Sequence, residues 1–293
     1  MELKLGILAS GGLGFNCLID VVKRNTVDFV FTDSKSKNII DFCIQNQIKI
    51  YIGNPRNEDA KSFIKKFKVD LILSVNYLFI VNDFIYNHSS KYSINFHGSL
   101  LPKYRGRTPH VWAIINNEKE AGITGHLISD ECDEGAIVYQ KKIVIDENMT
   151  GADLLKIYEE IYPLAINEII GKVKNETLNP IVQNHSVATY FGKRTPEDGA
   201  IDWNWQKERI KNWVRALSKP YPGAFSFING KKVIINKVEF TDFGFSDTDL
   251  NGKIINVNQN LIVKTQNGAI EIIDFETEDN IVFKIGDIFY ARN

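Results

Sequence analysis

The sequence predicts an α/β protein: a mostly parallel sheet covered by helices, followed by a small all-β barrel or sandwich. Three observations predict it. Strand-like apolar runs alternate with helix-periodic segments as far as residue 172. Beyond residue 185 the texture changes to short alternating runs separated by turns containing Gly and Asn. The 293 residues also exceed the about 100 to 150 residues of a common single core, so two domains are expected, residues 1–185 and 186–293.

In chain order, residues 3–8 read as a strand, 15–23 as a helix, 27–31 as a strand and 39–47 as a helix. A short strand at 48–52, a helix at 59–67 and strands at 69–74 and 93–97 follow. Apolar runs interleaved with helical periods specify a parallel sheet with helices packed on it, a Rossmann-like layout. In open sheets of this kind ligands sit beyond the carboxyl ends of the strands, so the residues just after Leu8, Ser74 and Phe96 should line a site. Residues 9–14, ASGGLG, follow the first strand and open a helix, where a glycine loop would cradle a phosphate. The GxGxxG spacing is absent and Asp33 does not complete the pattern, so a plain tight turn stands beside a phosphate or ribose contact.

Strands at 123–128 and 136–144 flank an acidic turn. Leu154, Leu155, Tyr158, Ile161, Tyr162, Ala165 and Ile169 recur at helical spacing and predict a long amphipathic helix over 151–172, kinked at Pro163, that closes the first domain. A turn-rich stretch at 192–199 then precedes a helix at 206–217 and strands at 224–228, 232–240, 252–257, 261–265 and 269–275. Trp203, Trp205 and Trp213 would either form a contact, compatible with a homodimer, or pack in the core beside that helix. The chain has no internal repeat and no low-complexity tract.

Composition removes several classes. With 44% apolar and 24% charged residues the chain is neither disordered, collagen-like nor coiled-coil. Its start, MELKLGILAS, lacks a secretory signal, and no window of about 18 apolar residues exists, so a cytoplasmic protein without membrane insertion is expected. The three cysteines, Cys17, Cys43 and Cys132, are odd in number and far apart, which disfavours a disulfide framework and a CxxC metal site. His88, His110, His126 and His185 lack ligand-like spacing; they read as structural or exposed, and no metal is expected. A net charge of -1 argues against nucleic acid, whose binders carry a basic patch.

The segment that carries chemistry runs from Ile94 to Arg107. Asn95 and His97 are two apart on an emerging strand and so face one side of it. They stand where the strand enters a loop rich in Gly, Pro and Arg, the place where substrates bind in this architecture. A carboxylate from the acidic turn could pair with His97, raise its pKa and favour the imidazolium. By spacing, Asp130, Glu131, Asp133 and Glu134 are equal candidates, and a solvated acidic turn accounts for them as well.

The pattern Asn95-x-His97-x-Ser99-Leu100-Leu101-Pro102-x-Tyr104-Arg105-Gly106, with Asp133-x-Gly135 beginning 36 residues after His97, resembles the 10-formyltetrahydrofolate-dependent formyltransferases. These include the methionyl-tRNA, glycinamide ribonucleotide and sugar N-formyltransferases. The resemblance implies that Asn95 and His97 bind a developing oxyanion, that His97 acts as an acid, and that Asp133 orients it and raises its pKa. It also implies that 10-formyltetrahydrofolate, the co-substrate, contacts Leu78, Phe79, Ile80, Arg107, Ser129, Asp130, Glu131 and Cys132. Residues 188–196, 201–203, 214–217 and 220–225 are similar to the C-terminal part shared by the tRNA and aminoarabinose enzymes, where the β portion is an OB-like barrel. The glycinamide ribonucleotide enzyme lacks that tail. Residues 1–185 would thus be the catalytic domain, and 186–293 a linker helix with an OB-like β domain.

The loop after His97 is closer to the aminoarabinose enzyme, because the tRNA enzyme usually has Ala after the His and a Trp ahead of Arg-Gly. Residues 201–293 hold 12 basic and 12 acidic residues, whereas a barrel gripping tRNA should be basic. The expected acceptor is the amine of a UDP-, dTDP- or GDP-linked 4-amino-deoxy sugar destined for surface polysaccharide, lipopolysaccharide or O-antigen. Ser10, Gly11, Lys103 and Arg105 would meet its pyrophosphate. A methionyl-tRNA formyltransferase and a non-catalytic folate or nucleotide-sugar binding protein are the alternatives.

Overall fold

Strand β1 (Leu5–Ala9) is buried at every position, as a central strand covered on both faces must be. Gly6 lies under the ring of Phe29, where a Cβ would come within 2.3 Å of Phe29 Cζ. Helix α1 (Gly11–Val22) turns Leu13, Cys17, Leu18 and Val21 inward. There follow β2 (Val27–Thr32), α2 (Lys37–Gln45), β3 (Lys49–Ile52), α3 (Glu58–Ile64), β4 (Leu71–Val75), the single turn α4 (Asp83–Tyr86) and β5 (Tyr92–His97). The chain continues through β6 (Arg105–Gly106), α5 (Pro109–Ile115), β7 (Glu120–Leu127), β8 (Ile137–Val144), α6 (Gly151–Lys174) and β9 (Tyr190–Phe191).

This computed structural model describes residues 2–277 and 280–291. The chain divides into two units, and the first comprises Met1–Pro109, Ala121–Ile143 and Lys156–Phe191. Its seven-stranded sheet has the order β3-β2-β1-β4-β5-β7-β8. Pairing is parallel from β3 through β5, and β7 runs antiparallel to β5. The direction of strand order reverses between β1 and β4, which opens a crevice at their carboxyl ends. Leu8, Phe29, Phe31, Ile64 and Ile72 form a buried cluster with Tyr51, Phe63 and Phe67 packed against it.

The expected alternation is present, with element ends shifted by a few residues. The glycine loop is the main difference. Helix α1 begins at Gly11 rather than residue 15, so most of ASGGLG winds into the first helical turn. Gly11, at φ +64, makes the entry, and its N–H donates to Ser36 Oγ at 2.9 Å. The long helix α6 runs unbroken through Pro163. Strands β6 and β9, two residues each, and the four-residue α4 carry no period that a sequence could display.

The second unit comprises His110–Glu120, Val144–Leu155 and Gly192–Asn293. Two arginines, the half-buried Arg209 and the buried Arg215, explain why the two early segments belong to it. Arg209 Nη1 donates to Ile115 O at 2.9 Å, and Arg215 Nη1 donates to Met149 O at 2.7 Å and Asp146 O at 3.1 Å. Helix α7 (Lys207–Ala216) is followed by β10 (Ala224–Ile228), β11 (Lys231–Thr241), β12 (Ile254–Asn256), β13 (Leu261–Thr265) and β14 (Gly268–Thr277). The last five form an antiparallel sheet in the order β10-β11-β14-β13-β12. Tyr290 pairs with Phe227 on one edge strand, and Ile288 pairs with Lys253 just ahead of the other, so the sheet edges are tied together as in a barrel.

Trp203 and Trp213 are core residues. Trp203 stacks on Phe289 with ring centroids 5.3 Å apart and donates to Ser226 Oγ. Trp213 donates to Gly199 O and meets Trp205 at 4.7 Å. They form no exposed contact patch. Among the described residues, no helix is long and apolar enough to cross a membrane.

Candidate active site

The carboxyl end of β5 brings Asn95 and His97 out on one face, and its antiparallel neighbour β7 supplies what lies opposite. Asn95 pairs in register with His126, and His97 with Thr124. Asn95 Nδ2 donates to His126 Nε2 at 3.1 Å. His126 Nδ1 lies 2.8 Å from Leu127 O; a carbonyl can only accept, so Nδ1 carries the proton and Nε2 offers its lone pair to Asn95.

The same reasoning sets the state of His97. Its Nε2 lies 2.7 Å from Tyr104 O and therefore holds a proton, which leaves Nδ1 facing Asp133 Oδ1 at 3.6 Å. That carboxylate oxygen is also 3.5 Å from His126 Nε2, and Asp133 Oδ2 accepts from Gly106 N–H at 2.9 Å. Asp133 opposes its own burial: the neighbouring His97 and His126 rings and the N–H donated by Gly106 together hold its carboxyl well below the usual carboxylate range. For His97 the balance runs otherwise. Burial pushes its pKa down, Asp133 and the Tyr104 carbonyl pull it up, and burial wins. Asp133 thus acts on His97 in the expected direction, but the net shift is downward and corrects the expectation of a raised pKa.

Two glycines make this geometry sterically possible. A Cβ on Gly106, at φ +98, would sit 2.3 Å from Phe191 O, and one on Gly135 would sit 1.8 Å from Leu127 O. The loop between β5 and β6 is tied down by Thr124, whose Oγ1 donates to Ser99 O and accepts from Leu101 N–H, and by Tyr158, whose hydroxyl donates to Gly98 O. Asn76, Tyr104, Thr108 and Asp133 all adopt positive φ. Such strain gathers where surrounding structure over-determines the backbone, characteristically at functional sites.

The other expected residues divide into two groups. Arg107 Nη2 donates to Leu78 O at 3.0 Å, joining two residues named for the folate. Leu78 and Ile80 expose 45% and 55% of their surface, an apolar ledge after β4, with Phe79 edge-on to Tyr77 beside them. Ser129, Asp130, Glu131 and Cys132 are all exposed on the turn before Asp133, and Asp130 accepts from the Tyr86 hydroxyl.

The residues named for a pyrophosphate fare differently. Arg105 is fully buried, paired with Glu134 at 2.8 Å and donating to Gln183 and Tyr190. It is occupied inside the protein and not presented to a ligand, because the loop after His97 turns inward at Tyr104. Ser10 is fully buried as well, and Gly11 N–H is taken by Ser36. Lys103 remains exposed.

His126 was set aside with the other histidines, yet it lies between Asn95 and Asp133. Antiparallel pairing of β5 with β7 puts His126 across from Asn95, a register that neither strand displays by itself. Among the described residues, no group of His, Cys, Asp and Glu side chains could hold a metal ion.

The sequence profile described as "Formyl transferase" matches residues 19–166, and "Formyl transferase, C-terminal domain" matches residues 193–293. The chain belongs to the formyl transferase family. It is 36% identical over 284 residues to the bifunctional polymyxin resistance protein ArnA of Wigglesworthia glossinidia brevipalpis, covering 94% of this chain and 42% of the relative. The chain therefore spans about two fifths of the length of that relative. Its fold is similar to that of WlaRD, a sugar 3N-formyl transferase solved in the presence of dTDP and 5-N-formyl-THF, with a TM-score of 0.70 at 20% identity over 96% of this chain and 100% of the other. The N-formyltransferase from Helicobacter canadensis, solved with folinic acid and dTDP-3-aminofucose, matches with a TM-score of 0.70 at 24% identity over 92% and 99% of the two chains.

Proposed function

We propose that the protein moves the formyl group of 10-formyltetrahydrofolate onto the amine of a nucleotide-linked 4-amino-deoxy sugar, with Asn95, His97 and Asp133 as the catalytic set in residues 1–185. The observation that carries the reading is the convergence of Asn95 Nδ2, His97 Nδ1 and the Asp133 carboxylate at the carboxyl end of β5. The exposed Leu78 and Ile80 suit a flat heteroaromatic ring, and the exposed Arg107 suits an anionic tail. The folate supplies an activated formyl group; the rest falls to the chain.

Asn95 spends one amide N–H on His126 and keeps the other for an oxygen that gains charge, a donor worth about 3 to 4 kcal/mol in the transition state. His97 rests with its proton on Nε2, so Nδ1 is the atom that can take the proton that the neutral amine sheds once it has bonded to the formyl carbon, and return it to the leaving folate nitrogen. Asp133 stabilises the imidazolium formed in between.

The nucleotide-sugar acceptor is supported by the relative of polymyxin resistance, by the solved sugar enzymes of like fold, and by the neutral charge of residues 201–293. The test is incubation with 10-formyltetrahydrofolate and a panel of UDP-, dTDP- and GDP-linked 3- and 4-amino sugars plus methionyl-tRNA. Mass spectrometry should find one formyl group added to a 4-amino sugar. Transfer to the tRNA alone, with binding that falls steeply with salt, would replace this reading with the tRNA one.

A further inference from the structure

Gln183 lies past the end of α6 in an exposed stretch, yet it is itself only 4% exposed. Its Nε2 donates to Asp133 O at 2.8 Å and to Gly135 O at 2.7 Å. Its Oε1 accepts from Arg105 Nη2 at 2.8 Å. All three polar valences that a buried amide can readily satisfy are in use, and two of them end on the backbone of the Asp133 turn.

That turn needs holding. Asp133 has a φ of 60, a left-handed conformation that an L-residue with a Cβ disfavours. Arg105 completes the grip: its Nη1 pairs with Glu134 Oε1 at 2.8 Å, and the N–H of its neighbour Gly106 meets the Asp133 carboxylate. The Gln183 amide thus connects the strand that carries Arg105 to the backbone on either side of Glu134.

We infer that Gln183 is a positioning residue, which fixes the Asp133 backbone so that the carboxylate stays against Nδ1 of His97. The inference rests on the reading that the Asp133–His97 pair moves the proton. It assigns to Arg105 a part in the same device.

The experiment compares wild type with Gln183→Met, which removes both donors and the acceptor at similar volume, and Gln183→Asn, which keeps the amide one methylene short. The first readout needs no substrate: the titration of the His97 ring followed by NMR. Asp133 pulls the His97 pKa upward, so a loosened carboxylate moves the His97 midpoint to lower pH. The second is turnover of 10-formyltetrahydrofolate with UDP-4-amino-4-deoxy-L-arabinose. There kcat should fall by about tenfold to a hundredfold, the scale of a misplacement of about 1 Å, while both KM values stay within about twofold of wild type.

An unmoved His97 midpoint in a folded variant overturns the inference, whether or not activity falls, because a role in folding alone would leave that titration in place. If Gln183→Met gives no cooperative melt, Gln183→Asn decides. If wild type does not formylate this sugar, the acceptor found with the panel takes its place in the turnover assay, and the His97 titration still tests Gln183.

Discussion

Replacing Asp133 by Asn isolates one charge with little change of shape. Asn tolerates the left-handed φ of 60 better than most residues, and its carbonyl can still accept from Gly106 N–H, so the turn should persist. What disappears is a carboxylate 3.6 Å from His97 Nδ1 and 3.5 Å from His126 Nε2. Opposite unit charges about 4 Å apart gain about 4 kcal/mol at an effective dielectric of about 20. That is about three powers of ten in any step that needs the imidazolium. Initial rates of formyl transfer at saturating substrates should therefore fall by about 10³, with KM values near those of wild type. A folded Asp133→Asn protein working within about tenfold of wild type would show that the carboxylate does not act on His97 as argued.

His126→Leu removes the acceptor that orients the Asn95 amide and should lower kcat by about tenfold, whereas His126→Gln, which can still accept, should recover most of it; steady-state kinetics of the pair decides. Gly135→Ala places a Cβ about where Leu127 O now sits, so the turn must move, and chemical denaturation should show a loss of about 1 to 3 kcal/mol. Because burial holds His97 below the ordinary histidine pKa, the folded state binds fewer protons there than the unfolded chain. The stability His97 contributes is complete above pH about 6.5 and is lost as pH falls through its folded value. Melting temperatures scanned from neutral to mildly acidic pH should decline in wild type and decline less in His97→Asn; equal slopes in the two proteins would contradict the burial argument.

Periodicity carried the parallel sheet and the five short C-terminal strands, because each of those elements repeats an apolar spacing long enough to read. Spacing also paired Asn95 with His97. It could not choose Asp133 among four nearby carboxylates, since that choice depends on where a left-handed turn points, and the family resemblance supplied it. His126 was illegible for a different reason: its role lies in the register between two strands whose pairing no single strand encodes. Arg105 was misread because a cation in a Gly- and Pro-rich loop looks solvent-facing. Its burial depends on Glu134, Gln183 and Tyr190, which arrive from up to 85 residues away.

The recognisable pattern contains more than the residues proposed to be catalytic, and sterics explain several of the others. Gly106 can donate its N–H to Asp133 only because nothing on its Cα meets Phe191 O, and Gly135 lets the acidic turn pass against Leu127 O. Either side chain would force apart the two segments whose approach sets the distance from Asp133 to His97. That distance decides whether burial leaves His97 inert or a neighbouring charge lets it take a proton. The glycines of Arg-Gly and Asp-x-Gly are thus conditions on the proton chemistry of His97, imposed through backbone contact.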